Sequence, residues 1–295
     1  MTTRPVVVGV DGSEESLRAV EWAALEAERR RSPLRIVSAP AVPPRMRLPQ
    51  SPPETVTAAL RGISARALAA AITRCEEIAP GLLIDTDLLS GAPALAVTDS
   101  GAGASMLVVG ARGLGGFAAM LLGSVSRYTA THASCPVVVV REDSMAVHRE
   151  IAVGIRDPHD TTEAVAFAFE EAALRGAELV VVHSWYAFPA GLLATGATDA
   201  GRRANVDARQ VAEHAAGSLA EAVSGWREKF PAVRVRQDVV QGHPARVLAS
   251  YAARADLVVL GRHGGGNASG PGIGSIQHAV LNHAGGPVAI VPSCA

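Results

Sequence analysis

A chain of 295 residues with net charge −1, 48% hydrophobic and 19% charged residues has room for two domains of about 150 residues, each with its own core. The charge balance gives no general attraction to nucleic acid or to an anionic membrane, and it argues against a phosphate polymer as main ligand. Cys75, Cys135 and Cys294 form no Cys-x-x-Cys and no metal spacing, no apolar stretch reaches the ~18 residues of a membrane span, and the N-terminus lacks a signal-like core, so a cytoplasmic protein with reduced thiols and no resident metal is expected.

In chain order, Pro5–Val10 reads as a buried strand, and Ser13 as the N-cap of a helix running to about Arg31 with acidic residues in its first turn. Leu34–Val37 is a second strand. Residues 40–53 carry six prolines and form a long loop. A helix follows from about Glu54 to Ala79, then a strand near Leu82–Leu89 and a helix opened by Ala92 and Pro93. A strand over 105–110, a glycine-rich loop, a helix from Ser124 and a final strand Pro136–Val140 complete the first half. Arg141–Arg149 is a short polar link, and the second half repeats the order, with an irregular loop near Ala187–Gly201. Apolar strand runs alternating with amphipathic helices predict parallel sheets covered on both faces, one per domain, over 1–147 and 148–295.

The repetition is visible residue by residue. Gly9, Trp22, Glu26 and Leu34 align with Gly154, Phe167, Glu171 and Leu179 at a constant offset of 145, which becomes 151 from Gly91 onward. Gly110-Ala-Arg-Gly113, nine residues and Gly123-Ser124 is matched by Gly261-Arg-His-Gly264, nine residues and Gly274-Ser275. Each pattern follows an apolar strand and opens a helix, the arrangement in which backbone N–H groups and a helix dipole converge on an anion. In a doubly wound sheet these loops share a crevice with the loop after the first strand, where Asp11 can accept hydrogen bonds from an exocyclic amine or a sugar hydroxyl. Asp11 can instead cap the first helix or satisfy the loop backbone, and Arg112 and Arg262 can equally clamp phosphates or lie in solvent. Trp22 and Phe167 read as core, and His132 and His283 as structural residues at helix ends.

No Gly-Lys-Ser/Thr occurs, which excludes a P-loop with its phosphate-binding lysine. A dehydrogenase fingerprint fits Gly113-x-Gly115-x-x-Ala118, but it follows the fourth strand instead of the first. No Gly-x-Ser-x-Gly elbow and no carboxylate pair stands at the glycine loops, so no catalytic residue is assigned, and any ATP turnover would be slow.

The glycine pattern, Val-Gly-Val-Asp11-Gly-Ser, Gly-x-Pro-Ala at Gly91 and Gly242, and His-Ala-x-Cys-Pro-Val-Val-Val-Val together resemble the universal stress proteins in their tandem two-domain actinobacterial type. That resemblance implies two five-stranded, Rossmann-like α/β domains packed as an internal pseudo-dimer through their last strands. It further implies a regulator in a stress response that binds ATP, with Mg, and forms a homodimer; the alternative is a slow ATPase or nucleotide-dependent transferase on the same scaffold. The residues it assigns to the nucleotide in the first half are Gly9, Val10, Asp11, Ala39, Gly110, Arg112, Gly113, Gly123, Ser124 and Val125. In the second half they are Asp157, Ser184, Gly261, Arg262, Gly264, Gly274, Ser275 and Ile276. The second half departs from the pattern at Arg156, which stands where the first has Asp11, so the first site is expected to be the tighter.

Overall fold

The computed structural model describes residues 3–40, 53–114, 121–141, 147–156, 162–185, 199–262 and 272–293. The first half runs β1 (Val6–Gly9), α1 (Glu14–Arg30), β2 (Leu34–Ser38), α2 (Pro53–Ile78), β3 (Ile84–Leu88), α3 (Pro93–Ser100), β4 (Met106–Gly110), α4 (Ser124–His132) and β5 (Val137–Val140). The second runs β6 (Glu150–Gly154), α5 (Thr162–Arg175), β7 (Glu178–Trp185), α6 (Asp199–Lys229), β8 (Val235–Gln241), α7 (Pro244–Ala252), β9 (Leu257–Arg262), α8 (Ser275–His283) and β10 (Val288–Pro292).

Local chemistry accounts for these elements. The valine and isoleucine runs of β1, β4, β5, β6 and β9 are buried on both faces, as central strands of a covered parallel sheet require. Ser13 caps α1, its hydroxyl accepting from Ser16 N at 3.2 Å. At the other end of α1, Arg31 adopts a left-handed conformation (φ 51) and its N–H returns to Ala27 and Glu28 carbonyls. Proline opens both α3 and α7, where its missing N–H has no helical partner to lose. His132 accepts its structural role: Nδ1 lies 2.9 Å from the Tyr128 carbonyl and the ring stacks on Tyr128.

The ten strands form one sheet in the order β3-β2-β1-β4-β5-β10-β9-β6-β7-β8. Within each half every pairing is parallel; the halves join by antiparallel pairing of β5 with β10, in register Val139↔Val288, Val138↔Ala289 and Val137↔Ile290. Val138 and Ala289 are equivalent in the duplication, so the pseudo-twofold axis passes between them and the interface is isologous within one chain. Each exposed apolar edge strand is thereby satisfied by the other.

The same axis passes between α1 and α5. Glu26 and Glu171, both fully buried, face Arg30 and Arg175 in a closed ring. Glu26 accepts from Arg30 and from Arg175 at 2.6 Å each, and Glu171 accepts from the same two guanidinium groups. Arg30 stacks over Phe167 and Arg175 over Trp22, with 5.8 and 5.6 Å to the ring centres. Trp22 and Phe167 are thus core residues of the junction between the halves.

One expectation needs correction. α6 begins at Asp199, so the last residues of the loop expected over 187–201 are helical, and the rest lie outside the described residues. Among the described residues, one helix is long and apolar enough to cross a membrane by length and composition: α2, over Glu54–Ile78, with mean hydropathy 1.2. Its alanines raise that value despite three interspersed arginines. The helix buries Leu60, Ala67, Ala71 and Cys75 against the first half, and Arg74 pairs with Glu21 of α1 at 3.1 Å.

Candidate functional site

Strand order reverses between β1 and β4 in the first half and between β6 and β9 in the second, and a crevice opens at the carboxyl end of each pair. The first measures about 370 Å³, within the usual range of small-molecule sites, the second about 180 Å³.

All ten residues assigned to the nucleotide in the first half line the first crevice. Gly9 forms its floor. Gly110 is required by packing, since a Cβ there would stand 2.7 Å from the Glu15 carbonyl oxygen in the first turn of α1. A Cβ on Gly113 would collide with Asp11 Oδ2. Gly123 is the N-cap of α4 and no side chain caps that helix, which leaves its first N–H groups directed at the crevice.

Asp11 ties the site together. Oδ1 accepts from Ser13 N at 3.0 Å and Ser13 Oγ at 2.6 Å, and Oδ2 accepts from Leu114 N at 2.8 Å. The carboxylate therefore links the α1 cap to the glycine loop while its edge faces the crevice. Arg112, at the crevice wall, pairs with Glu15 at 3.0 Å. The sequence reading missed Val97 of α3, which packs over Gly9, and Ser126, whose hydroxyl donates to the Gly110 carbonyl at 2.6 Å. Val97 lies one turn beyond Pro93, and that spacing from the Gly-x-Pro motif is the signal that marks it.

In the second half, Ser184, Gly261, Gly274, Ser275 and Ile276 line the crevice together with Arg156. α8, like α4, has a glycine N-cap and no side-chain cap. Asp157 and Gly264 lie outside the described residues. Arg262 departs from its expected place. Its guanidinium donates to the Ala133 carbonyl at the end of α4, 2.6 Å away in the first half, instead of facing the crevice. That carbonyl lies at the negative end of the α4 dipole, a favourable seat for a cation. Arg141 makes the converse contact, donating to the Leu281 carbonyl in α8.

Two positions at or beside the crevices keep a role while changing residue. Gln277 replaces Ser126 and donates to Gly261 O at 2.8 Å, and His183 replaces Ser38 in reaching the carbonyl after the first strand, Ile155 O at 3.0 Å against Val10 O at 2.9 Å. Among the described residues no group of three or more His, Cys, Asp or Glu is placed to hold a metal ion.

Fold and site together define a tandem doubly wound α/β protein with a glycine-lined crevice in each half. The family model described as "Universal stress protein family" matches residues 2–141 and again 148–292, and the chain belongs to that family. A universal stress protein of Mycobacterium tuberculosis is 35% identical over 292 residues, covering 97% of this chain and 96% of that one. In fold, the chain is similar to a universal stress protein from Archaeoglobus fulgidus, with TM-score 0.68, 16% identity, and coverage of 98% of this chain and 96% of that one. A second Archaeoglobus fulgidus universal stress protein, solved in complex with dAMP, covers 48% of this chain and 100% of its own at 25% identity and TM-score 0.35.

Proposed function

We propose that the chain binds an adenine nucleotide, ATP with its Mg, in the first crevice, and that occupancy switches its interactions in a stress response. One observation carries the reading: ten residues from four separate segments converge on a single crevice at the strand-order reversal, facing the uncapped start of α4. The glycine cradle suits the phosphates, because Gly110 lets α1 pack against the loop and a Cβ at Gly113 would collide with the Asp11 carboxylate. The base would lie over Gly9 beside Val10, Asp11 and Ala39. Asp11 would accept from an exocyclic amine or a sugar hydroxyl, and the Ser124 hydroxyl and Val125 N–H would hold phosphate oxygens. Mg would arrive on the phosphates, since it accepts few protein ligands when phosphate oxygens are present.

The protein acts in this reading as a regulator over domains 1–147 and 148–295, in the cytoplasm, and not as a metabolic enzyme. β5 and β10 already satisfy each other, so a homodimer of whole chains would have to use another surface.

Thermal unfolding with and without Mg-ATP tests the proposal. Ligand at 100 times its dissociation constant should stabilise wild type by about 2.7 kcal/mol, while Asp11→Ala and Gly123→Asp should show no shift. No shift for wild type with any adenine nucleotide, and none co-purifying, would sink it. Phosphate release well above that of Gly123→Asp would move the reading toward an ATPase.

A further inference from the structure

The two crevices differ most where a purine base would lie. In the first half the floor glycine, Gly9, is overlain by Val97 from α3 and flanked by Val109 from β4; a Cβ on it would stand 3.0 Å from Val97 and 3.6 Å from Val109. The equivalent positions in the second half, at the constant offset of 151, are Leu248 of α7 and Leu260 of β9. Both leucines press on the floor: a Cβ on Gly154 would stand 2.8 Å from Cδ2 of each. Strand pairing is the same in both halves, Gly9 opposite Val109 and Gly154 opposite Leu260, so the two side chains stand at equivalent places over the glycine. Each leucine carries one methylene more than the valine it replaces, directly above the glycine, and the second crevice measures about 180 Å³ against about 370 Å³, below the usual range for small-molecule sites.

We infer that Leu248 and Leu260 exclude the base from the second crevice, so that each chain binds one nucleotide, in its first half. The exclusion is steric, independent of the exchange of Asp11 for Arg156. A core side chain cannot move aside without displacing its neighbours, because interiors are close-packed. Leu248 is 6% exposed and Leu260 3%, which leaves neither a solvent-facing rotamer to retreat to. This inference rests on the nucleotide reading of the first crevice.

Equilibrium binding of Mg-ATP, read as stoichiometry per chain by titration calorimetry, tests it. Wild type should bind one ATP and Gly123→Asp none. Leu248→Val/Leu260→Val should bind two, and the same pair in the Gly123→Asp background should regain one. Arg156→Asp alone should leave wild-type stoichiometry unchanged. The reciprocal change, Val97→Leu/Val109→Leu, should abolish binding in the first half, and it tests the idea even where the valine pair fails to fold. Wild type binding no nucleotide would sink the functional reading and this inference with it. Wild type binding two, or Gly123→Asp still binding one, would leave that reading intact and overturn the leucine barrier. A valine pair that folds and still binds one, or a second site created by Arg156→Asp alone, would overturn it too.

Discussion

Replacing Glu171 by glutamine tests the charge ring on the pseudo-twofold axis. Glu26 and Glu171 are fully buried, and Arg30 and Arg175 expose only 14% and 6% of their side chains. Each carboxylate accepts from both guanidinium groups, so the ring is neutral and each of its four carboxylate oxygens is satisfied. Glutamine offers one acceptor where the carboxylate offered two, and it leaves a net positive charge inside the junction. Breaking a buried ion pair in this way costs about 3–5 kcal/mol, whereas replacing all four residues by apolar ones of similar volume is near neutral or stabilising by about 1–4 kcal/mol. Urea titration at pH 7, followed by tryptophan fluorescence and far-ultraviolet circular dichroism, gives both quantities from the midpoint and slope. Trp22, stacked under Arg175, reports on the junction directly. Burial raises Glu171, and the Glu26 charge adds to it; burial also pushes Glu26 upward, but Arg175 and Arg30 outweigh it and hold Glu26 below the ordinary range. In acid the two carboxyls then oppose each other. Stability from Glu26 is present above the ordinary glutamate pKa and lost as pH falls through its lowered value, while the protonated form of Glu171 favours the fold until pH rises through its raised one. A loss under about 1 kcal/mol for Glu171→Gln at pH 7 would refute the argument, since it would mean either a hydrated ring worth no more than a surface pair or a Glu171 already protonated.

Two further outcomes follow from named contacts. Gly113→Ala forces the Asp11 carboxylate away from Leu114 N and should weaken Mg-ATP binding at least tenfold, about 1.4 kcal/mol, with the fold retained; unchanged affinity by calorimetry would show that Asp11 does not organise the site. Burial, with a smaller push from Glu76, raises the Cys75 thiol to about 12, and burial raises Cys135 to about 11. In a Cys294→Ser chain at pH 8 the thiolate fractions are then about one in ten thousand and one in a thousand, and neither thiol should react with a disulfide reagent until the protein is unfolded. Stoichiometric labelling of the native protein within minutes would contradict the burial.

The valine runs, the Ser13 cap and the two prolines at helix starts made the elements legible from sequence, because each is a local signal with one physical reading. The join between halves came from the family resemblance, and its physical reason is that two apolar strands at sheet edges must be covered. The start of α6 was not legible: Asp199, Gly201 and their polar neighbours read as loop, and a helix this long is stabilised by tertiary packing that no local signal reports. The family resemblance pointed to ten residues that line the first crevice but could not say that Arg262 turns away from the second, because side-chain direction depends on which partner the other half supplies. The exchange of Val97 and Val109 for Leu248 and Leu260 was in plain view at the constant offset. Its meaning required knowing that both side chains stand over the same glycine.

The duplication has diverged unevenly, and the pattern separates junction positions from crevice positions. At the junction, Glu26 and Arg30 recur unchanged as Glu171 and Arg175, and Val138 meets its own counterpart Ala289 across the axis. At the crevices, aspartate becomes arginine, two valines become leucines and a serine becomes glutamine. Arg262 shows what the altered half still contributes. It belongs to the second glycine loop, yet its guanidinium sits on the last carbonyls of α4, whose first N–H groups face the first crevice. Arg262 thus joins the second glycine loop to the end of α4 across the junction, whereas Arg112 of the first glycine loop pairs with Glu15 within its own half.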